Sequence, residues 1–298
     1  MAHASPRSGQ EPLAGEKTMS KAKAKKQSKG NVSKKRLPWF GWLLIALGVA
    51  GAIVLVRFCL LGQASPDNVG ELKAVIVDQL SSVQENEEFI GNVTKGLEDY
   101  GFEVDLCQGD NVTVDFYCQL PTHGYKLIIF RAHSGLLAEN EVTQDRTVLF
   151  TNEEYSQLKH YDDQLRDRLV MARVDENHPM VFGIPPKFIA ESMKGKFDEA
   201  VVIMMGCSGL FMRDLAEAFI DKGASIYVAW NGSVELYYVD EATAYLVTQL
   251  CSRNMTIKEA VDNTRVVIGP DPEHWSGLEY YPSYPSDSGD KKLEEFVK

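Results

Sequence analysis

Two side chains in this sequence are of the types that carry out acyl transfer, and each ends an apolar run of strand length. The first run is Leu127-Ile128-Ile129-Phe130-Arg131-Ala132-His133-Ser134-Gly135. The second is Ala200-Val201-Val202-Ile203-Met204-Met205-Gly206-Cys207-Ser208-Gly209. Runs that are apolar on both faces suit buried parallel strands. In an open parallel α/β sheet, sites form outside the carboxyl ends of the strands. If the two runs are parallel neighbours, His133 and Cys207 share one rim, with strand axes about 4.8 Å apart. A thiol and an imidazole so placed are a nucleophile and its base. The small residues that follow each let backbone N–H groups approach a ligand. Taken singly, each residue has a plainer reading. A free cysteine is commonly an inert core hydrophobe, and a histidine after a strand can simply satisfy a loop.

The elements that must position this pair read as alternating strands and helices. Leu72 to Leu80 is a first strand. Asn86 to Tyr100 has helical spacing, with Phe89, Ile90, Val93 and Leu97 on one face and Gly101 as its stop. Glu103 to Cys107 is a short strand, Val112 to Leu120 a helix and Tyr125 to Arg131 the third strand. This β-α-β-α-β rhythm predicts an α/β fold with a mostly parallel sheet covered on both faces. Residues 136–196 break the rhythm and read as an accessory insertion carrying a hairpin over the site, with short strands at 147–151, 169–174 and 180–184. Pro185-Pro186 opens a helix to about Met193. Ala200 to Met205 is the fourth core strand, Phe211 to Asp221 a helix and Ser225 to Trp230 the fifth strand. Asp240 to Cys251 and Thr256 to Val267 are helices. Tyr280, Tyr281, Pro282, Tyr284 and Pro285 predict an extended segment packed onto the sheet. Residues 286–298 read as a polar tail.

The His-Ser-Gly and Gly-Cys-Ser strand ends resemble those of the caspase, gingipain and legumain superfamily of cysteine peptidases. In that superfamily a histidine follows the third core strand and a cysteine the fourth. True caspases carry Gln-Ala-Cys-x-Gly, with the histidine about 50 residues upstream. This chain keeps the order and the Cys-x-Gly as Cys207-Ser208-Gly209. It has Met205-Gly206 in place of Gln-Ala and a separation of 74 residues. Ser134 stands where the family most often has glycine. The resemblance is therefore nearer the gingipain-like branch, and it spans roughly residues 72 to 284.

The resemblance implies a caspase-like three-layer sandwich and a Cys207–His133 dyad that needs no cofactor and no metal. Cys207 would attack a peptide carbonyl, its pKa lowered by His133 or by a helix beginning near Leu210. His133 would protonate the leaving amine. The oxyanion donors would be the N–H of Cys207 and one N–H from Ser134-Gly135. The loop after the fifth strand, Trp230-Asn231-Gly232-Ser233-Val234-Glu235, would line the substrate pocket. Trp230 is then a pocket wall, and Glu235 or Asp240 pairs with a substrate Arg or Lys. Asp78 ends the first strand on the same rim. The alternative is that Trp230 is a core aromatic, that both acids face water and that Asp78 caps a turn.

Composition adds the setting. Residues 1–36 hold ten basic residues against Glu11 and Glu16 and read as a disordered tail. Residues 37–57 read as a transmembrane helix. Leu37 to Val56 contains no charge, carries Trp39, Phe40 and Trp42 at one end, and as a helix spans about 30 Å, the thickness of a hydrocarbon core. Its basic lead is too long for an ordinary signal peptide, which predicts an uncleaved anchor. Lys34-Lys35-Arg36 against lone Arg57 predicts a cytoplasmic amino terminus and an external main domain. Residues 58–71 are a linker. Residues 37–298 carry 21 Lys and Arg against 40 Asp and Glu, which argues against nucleic acid as a partner. Sequons at Asn92, Asn111, Asn231 and Asn254 permit external glycosylation. None of the five cysteines has metal-ligand spacing. An oxidising exterior would allow a Cys107–Cys118 disulfide.

Two functional classes follow. One is a membrane-anchored peptidase acting on peptide or protein substrates. The other is a non-catalytic caspase-like interaction domain tethered to the membrane. A flavodoxin-like binding domain is disfavoured, because no Gly-rich phosphate loop follows any strand.

Overall fold

The strand β1 (Lys73–Asp78) has every residue after Lys73 buried, as the centre of a doubly covered sheet requires. In this computed structural model, which describes residues 72–139, 142–283 and 288–297, it belongs to a six-stranded mixed sheet. The expected tail, membrane span and linker at 1–71 lie outside the described residues, as do Tyr284 and Pro285. No helix among the described residues is long and apolar enough to cross a membrane.

The first half of the chain alternates as expected. Helix α1 (Glu87–Tyr100) starts on Asn86, whose side chain accepts the Phe89 N–H, and stops at Gly101 with φ of 115°. Strand β2 (Glu103–Gln108), helix α2 (Val114–Gln119) and strand β3 (Tyr125–Arg131) follow. Next come β4 (Ser134–Glu139), β5 (Val142–Glu154), α3 (Tyr161–Leu165), β6 (Val170–Ala172), β7 (Val181–Ile184) and α4 (Pro186–Glu191). Strand β8 (Val201–Met204), α5 (Asp214–Asp221), β9 (Ile226–Trp230), α6 (Leu236–Cys251), α7 (Ile257–Val267) and β10 (Leu278–Tyr281) complete the order.

The main sheet runs β10-β9-β8-β3-β1-β2, parallel throughout except β10. Alternation along each strand feeds two cores. Ala74, Ile76, Leu127, Ile129, Ile203 and Val228 pack under α1, α6 and α7 through Phe89, Leu97, Leu246 and Val261. Val75, Val77, Ile128, Phe130 and Val202 pack on the other face against Tyr117, Phe188, Leu215 and Phe219. The result is three layers, helix on sheet on helix.

Three features differ from the sequence reading. The accessory unit is a four-stranded antiparallel sheet, β4-β5-β7-β6, and it begins at Ser134, directly after His133. The small residues there look like a turn but start an edge strand. Within the segment read as a polar tail, the described residues 288–297 pack onto the domain: Leu293 and Phe296 are buried against the α6–α7 side of the sheet, and Lys292 bridges Thr256. Lastly, Cys107 and Cys118 are free. Each thiol donates to a different carbonyl, Cys107 to Asn111 at 3.4 Å and Cys118 to Ser192 at 3.2 Å, so the expected disulfide is not formed.

Candidate active site

His133 and Cys207 stand at equivalent points on adjacent strands. β3 and β8 pair in parallel from Leu127↔Val201 to Phe130↔Met204, a constant offset equal to the separation of His133 and Cys207. The Met205 N–H still donates to the Phe130 carbonyl at 2.9 Å. Beyond it the chains nearly touch. A Cβ on Gly206 would collide with the Ala132 carbonyl and the Ser134 hydroxyl, so only glycine fits. The Ser134 hydroxyl donates to the Cys207 carbonyl at 2.6 Å and ties the two strand ends together.

The thiol of Cys207 is held by the loop after β9. The Val234 N–H donates to Sγ at 3.4 Å, and the thiol lies 3.7 Å from the Val234 carbonyl. Burial pushes the Cys207 pKa up; the Val234 contact opposes this, and Asp271 and Glu235 add to it. The expected lowering of this pKa is thus not found. One reason is that α5 begins at Asp214 instead of near Leu210, so its amino end starts seven residues past Cys207. The intervening turn holds Ser208 at φ of 58°, with its N–H on the Gly232 carbonyl at 2.7 Å. Among the described residues, the backbone N–H of Cys207 donates to no group.

His133 leans to the other side of the rim. Its ring lies 6.1 Å from that of Phe150 and lines a cavity of about 200 Å³. Its Nε2 is buried there without a hydrogen-bond partner. Burial lowers its pKa, and the charge of His178 lowers it further. No hydrogen bond joins the imidazole to the thiol. The backbone of His133 is fixed at both ends: its N–H donates to Gln79 Oε1 at 2.9 Å, and its carbonyl accepts the Phe150 N–H at 3.0 Å. Gln79 Nε2 in turn donates to Asn152 Oδ1 at 2.7 Å.

That Phe150 bond also sorts the two expected oxyanion donors. Antiparallel ladders alternate bonded and unbonded pairs. With His133 and Phe150 bonded, Ser134↔Leu149 is an unbonded pair and Gly135↔Val148 a bonded one. The Gly135 N–H is therefore committed to β5, and the Ser134 N–H points out of the ladder.

The acids read as pocket residues are mostly spent elsewhere. Arg131 is 0% exposed and holds both Asp78 and Asp240. Its Nη1 donates to Asp78 Oδ1 at 2.8 Å, while Nε and Nη2 donate to the two oxygens of Asp240 at 2.9 Å each. Nη2 also reaches the Gln84 carbonyl at 2.9 Å, and Asn86 Nδ2 donates to Asp240 at 2.7 Å. Burial raises the Asp78 pKa against the pull of Arg131. Both carboxylates are buried. Trp230 is 1% exposed and packs 5.8 Å from the Tyr238 ring, so it is core rather than a pocket wall.

Two loop residues remain at the surface. Asn231 braces the loop, donating to Glu279 at 2.8 Å and accepting the Gly277 N–H at 2.8 Å. Glu235 is exposed, with Oε1 3.2 Å from His274 Nε2. Sequence reasoning missed Arg131, Gln79 and Asp271. Asp271 is fully buried and accepts the N–H groups of Glu235, Glu273 and His274. The one available signal was a charged residue, Arg131, at the end of a buried apolar strand.

Among solved structures the chain is similar to the crystal structure of the Arg specific cysteine proteinase gingipain R (RGPB). The two share 13% identity with a TM-score of 0.41, over 66% of this chain and 41% of that one. The chain therefore spans less than half the length of that proteinase, and the likeness is one of fold alone. No protein-family model matches the chain, and no curated protein matches it.

Proposed function

We propose that the chain is a cysteine peptidase that uses Cys207 as nucleophile and His133 as base, held at a membrane by Leu37–Val56 with its α/β domain outside. The observation that carries this reading is the shared register. A thiol and an imidazole follow adjacent parallel strands at matched positions, and among the described residues the Cys207 N–H has no partner.

The resting pair is neutral, with a raised thiol pKa and a lowered imidazole pKa. Attack therefore moves the thiol proton to His133 as sulfur bonds to the carbonyl carbon. His133 passes that proton to the leaving amine as the C–N bond breaks. Water then hydrolyses the thioester and releases the acid. The N–H groups of Cys207 and Ser134 meet the developing oxyanion. With Asp78 and Asp240 locked on Arg131, Glu235 is the acid left to select a basic side chain on the acyl side.

The test is hydrolysis of a panel of internally quenched peptides by the full-length protein in detergent. Cys207→Ala and His133→Ala should each reduce kcat/KM by about 10³-fold or more. Cleavage that persists in Cys207→Ala rejects the assignment.

One observation favours a second reading, a non-catalytic interaction domain. The sulfur is engaged by Val234 and makes no bond to the imidazole. That reading predicts no cleavage of any peptide and a Cys207 that alkylates no faster than Cys251.

A further inference from the structure

We infer that the cavity between His133 and the accessory sheet receives the first side chain after the scissile bond, and that it selects an apolar one. This rests on the peptidase reading above.

None of the residues lining the cavity belongs to the loop that holds Sγ. Its lining includes the apolar Phe150, Val174, Pro179 and Val181 beside His133 and His178, with polar groups from Gln79, Ser82, Asp110 and Asn152. The direction of the substrate follows from the chemistry. The acid that protonates the leaving amine must lie beside it, so the chain attached to that amine lies where the imidazole lies. His133 Nε2 is buried in this space with no partner, a polar atom that the folded chain leaves unsatisfied and that a substrate N–H or amine would meet.

Size and polarity define the occupant. An apolar cavity of about 150 Å³ admits benzene, and drug-sized ligands need about 300–1,000 Å³. At about 200 Å³ this one matches a single leucine or phenylalanine side chain. Two of its polar lining residues are already engaged: Gln79 holds the His133 N–H and Asn152, and Asn152 holds the Gln79 and Gly109 carbonyls at 3.0 Å each. His178 Nδ1 lies 2.9 Å from Asp175 but, like His133 Nε2, is buried without a hydrogen-bond partner. Asp110 at the edge repels an acidic side chain. Val174 is 44% exposed at the mouth, an apolar residue left facing water.

The experiment uses full-length protein in detergent and quenched peptides that share one acyl half but carry Leu, Phe, Gly or Asp after the bond. Leu and Phe peptides should exceed Gly and Asp peptides in kcat/KM by about tenfold, the usual worth of a filled apolar pocket. Val174→Asp should erase that ranking, bringing the Leu and Phe peptides down to the rate of the Gly peptide. A flat ranking in the unmodified protein overturns the inference, as does a Val174→Asp variant that slows all four peptides equally. If nothing is cleaved in a Cys207-dependent way, the peptidase reading fails by itself and the cavity is read by binding. Tripeptides beginning with Leu or Asp would be titrated into Cys207→Ala while the His133 and His178 ring signals are followed by NMR. Shifts with the Leu peptide alone support the cavity's preference; no shift with either, or equal shifts with both, overturns it.

Discussion

The backbone N–H of Val234 donates to the sulfur of Cys207 at 3.4 Å, so a loop 27 residues downstream holds the thiol in the resting protein. A hydrogen bond to sulfur favours thiolate, yet burial outweighs it and the net pKa is raised.

The thiols should therefore alkylate in a fixed order as pH rises. Burial raises the thiols among the described residues, to about 11 for Cys107 and about 12 for Cys251, against smaller rises for Cys118 and Cys207. Iodoacetamide should modify Cys207 before Cys107 and Cys107 before Cys251, at rates that climb with pH. Peptide mass spectrometry gives the order, and Cys251 reacting first would contradict it.

His133 should make the protein lose stability on acidification. Its folded pKa lies below the ordinary histidine value, so the unfolded chain binds the proton more readily. Its contribution is complete above the ordinary value and is lost as pH falls through the depressed one. Urea midpoints measured between pH 7.5 and pH 5 should fall less for His133→Asn than for the parent. An equal fall in both would show that His133 is not the group responsible.

Removing Arg131 should be far worse than removing its whole network. Arg131→Met strands two buried carboxylates and should cost about 3–5 kcal/mol by denaturant titration. The triple variant Arg131→Met, Asp78→Asn, Asp240→Asn should recover most of that, because no buried charge is left unpaired. A triple variant as unstable as the single one would mean that packing, not charge, sets the cost.

Gly206→Ala should destabilise by about 1–3 kcal/mol, typical of forcing a methyl into a filled space. The strand ends it would push apart carry Ser134 and Cys207. Peptide hydrolysis should fall much more than stability, and a variant with parental activity would show that the close approach is dispensable.

Much of this architecture was legible in the chain. Apolar runs with β-branched residues marked β1, β3, β8 and β9, and capping residues such as Asn86, Gly101 and Thr256 marked helix ends. The sequence reading of the site rested on the third and fourth core strands being parallel neighbours, and they are. What was hidden depends on distant partners. Arg131 meets Asp78 and Asp240, 53 and 109 residues away, and no local pattern announces either contact. β4 was hidden because Ser134-Gly135 has turn chemistry, yet pairing with β5 overrides that propensity. The late start of α5 was hidden because Leu210 and Phe211 continue an apolar pattern across a turn shaped by Ser208. Leu293 and Phe296 were isolated apolar residues in a charged segment, and only the assembled sheet offers them a place.

The accessory sheet lies wholly between His133 and Cys207 in the chain, which bears on when the site comes into being. Closing a longer loop adds little to equilibrium cost, about 0.6 kcal/mol for each doubling. Its effect on rate is larger, since contacts distant in sequence slow folding. β1 and β2 can pair through a short helical crossover, whereas β8 must close a loop that contains the whole accessory sheet before it docks on β3. A ribosome-bound or partly folded chain would hold its histidine long before it gained a nucleophile. Pulse-labelled hydrogen exchange during refolding should find the β1–β2 amides protected before those of β3–β8; the reverse order would remove this built-in delay.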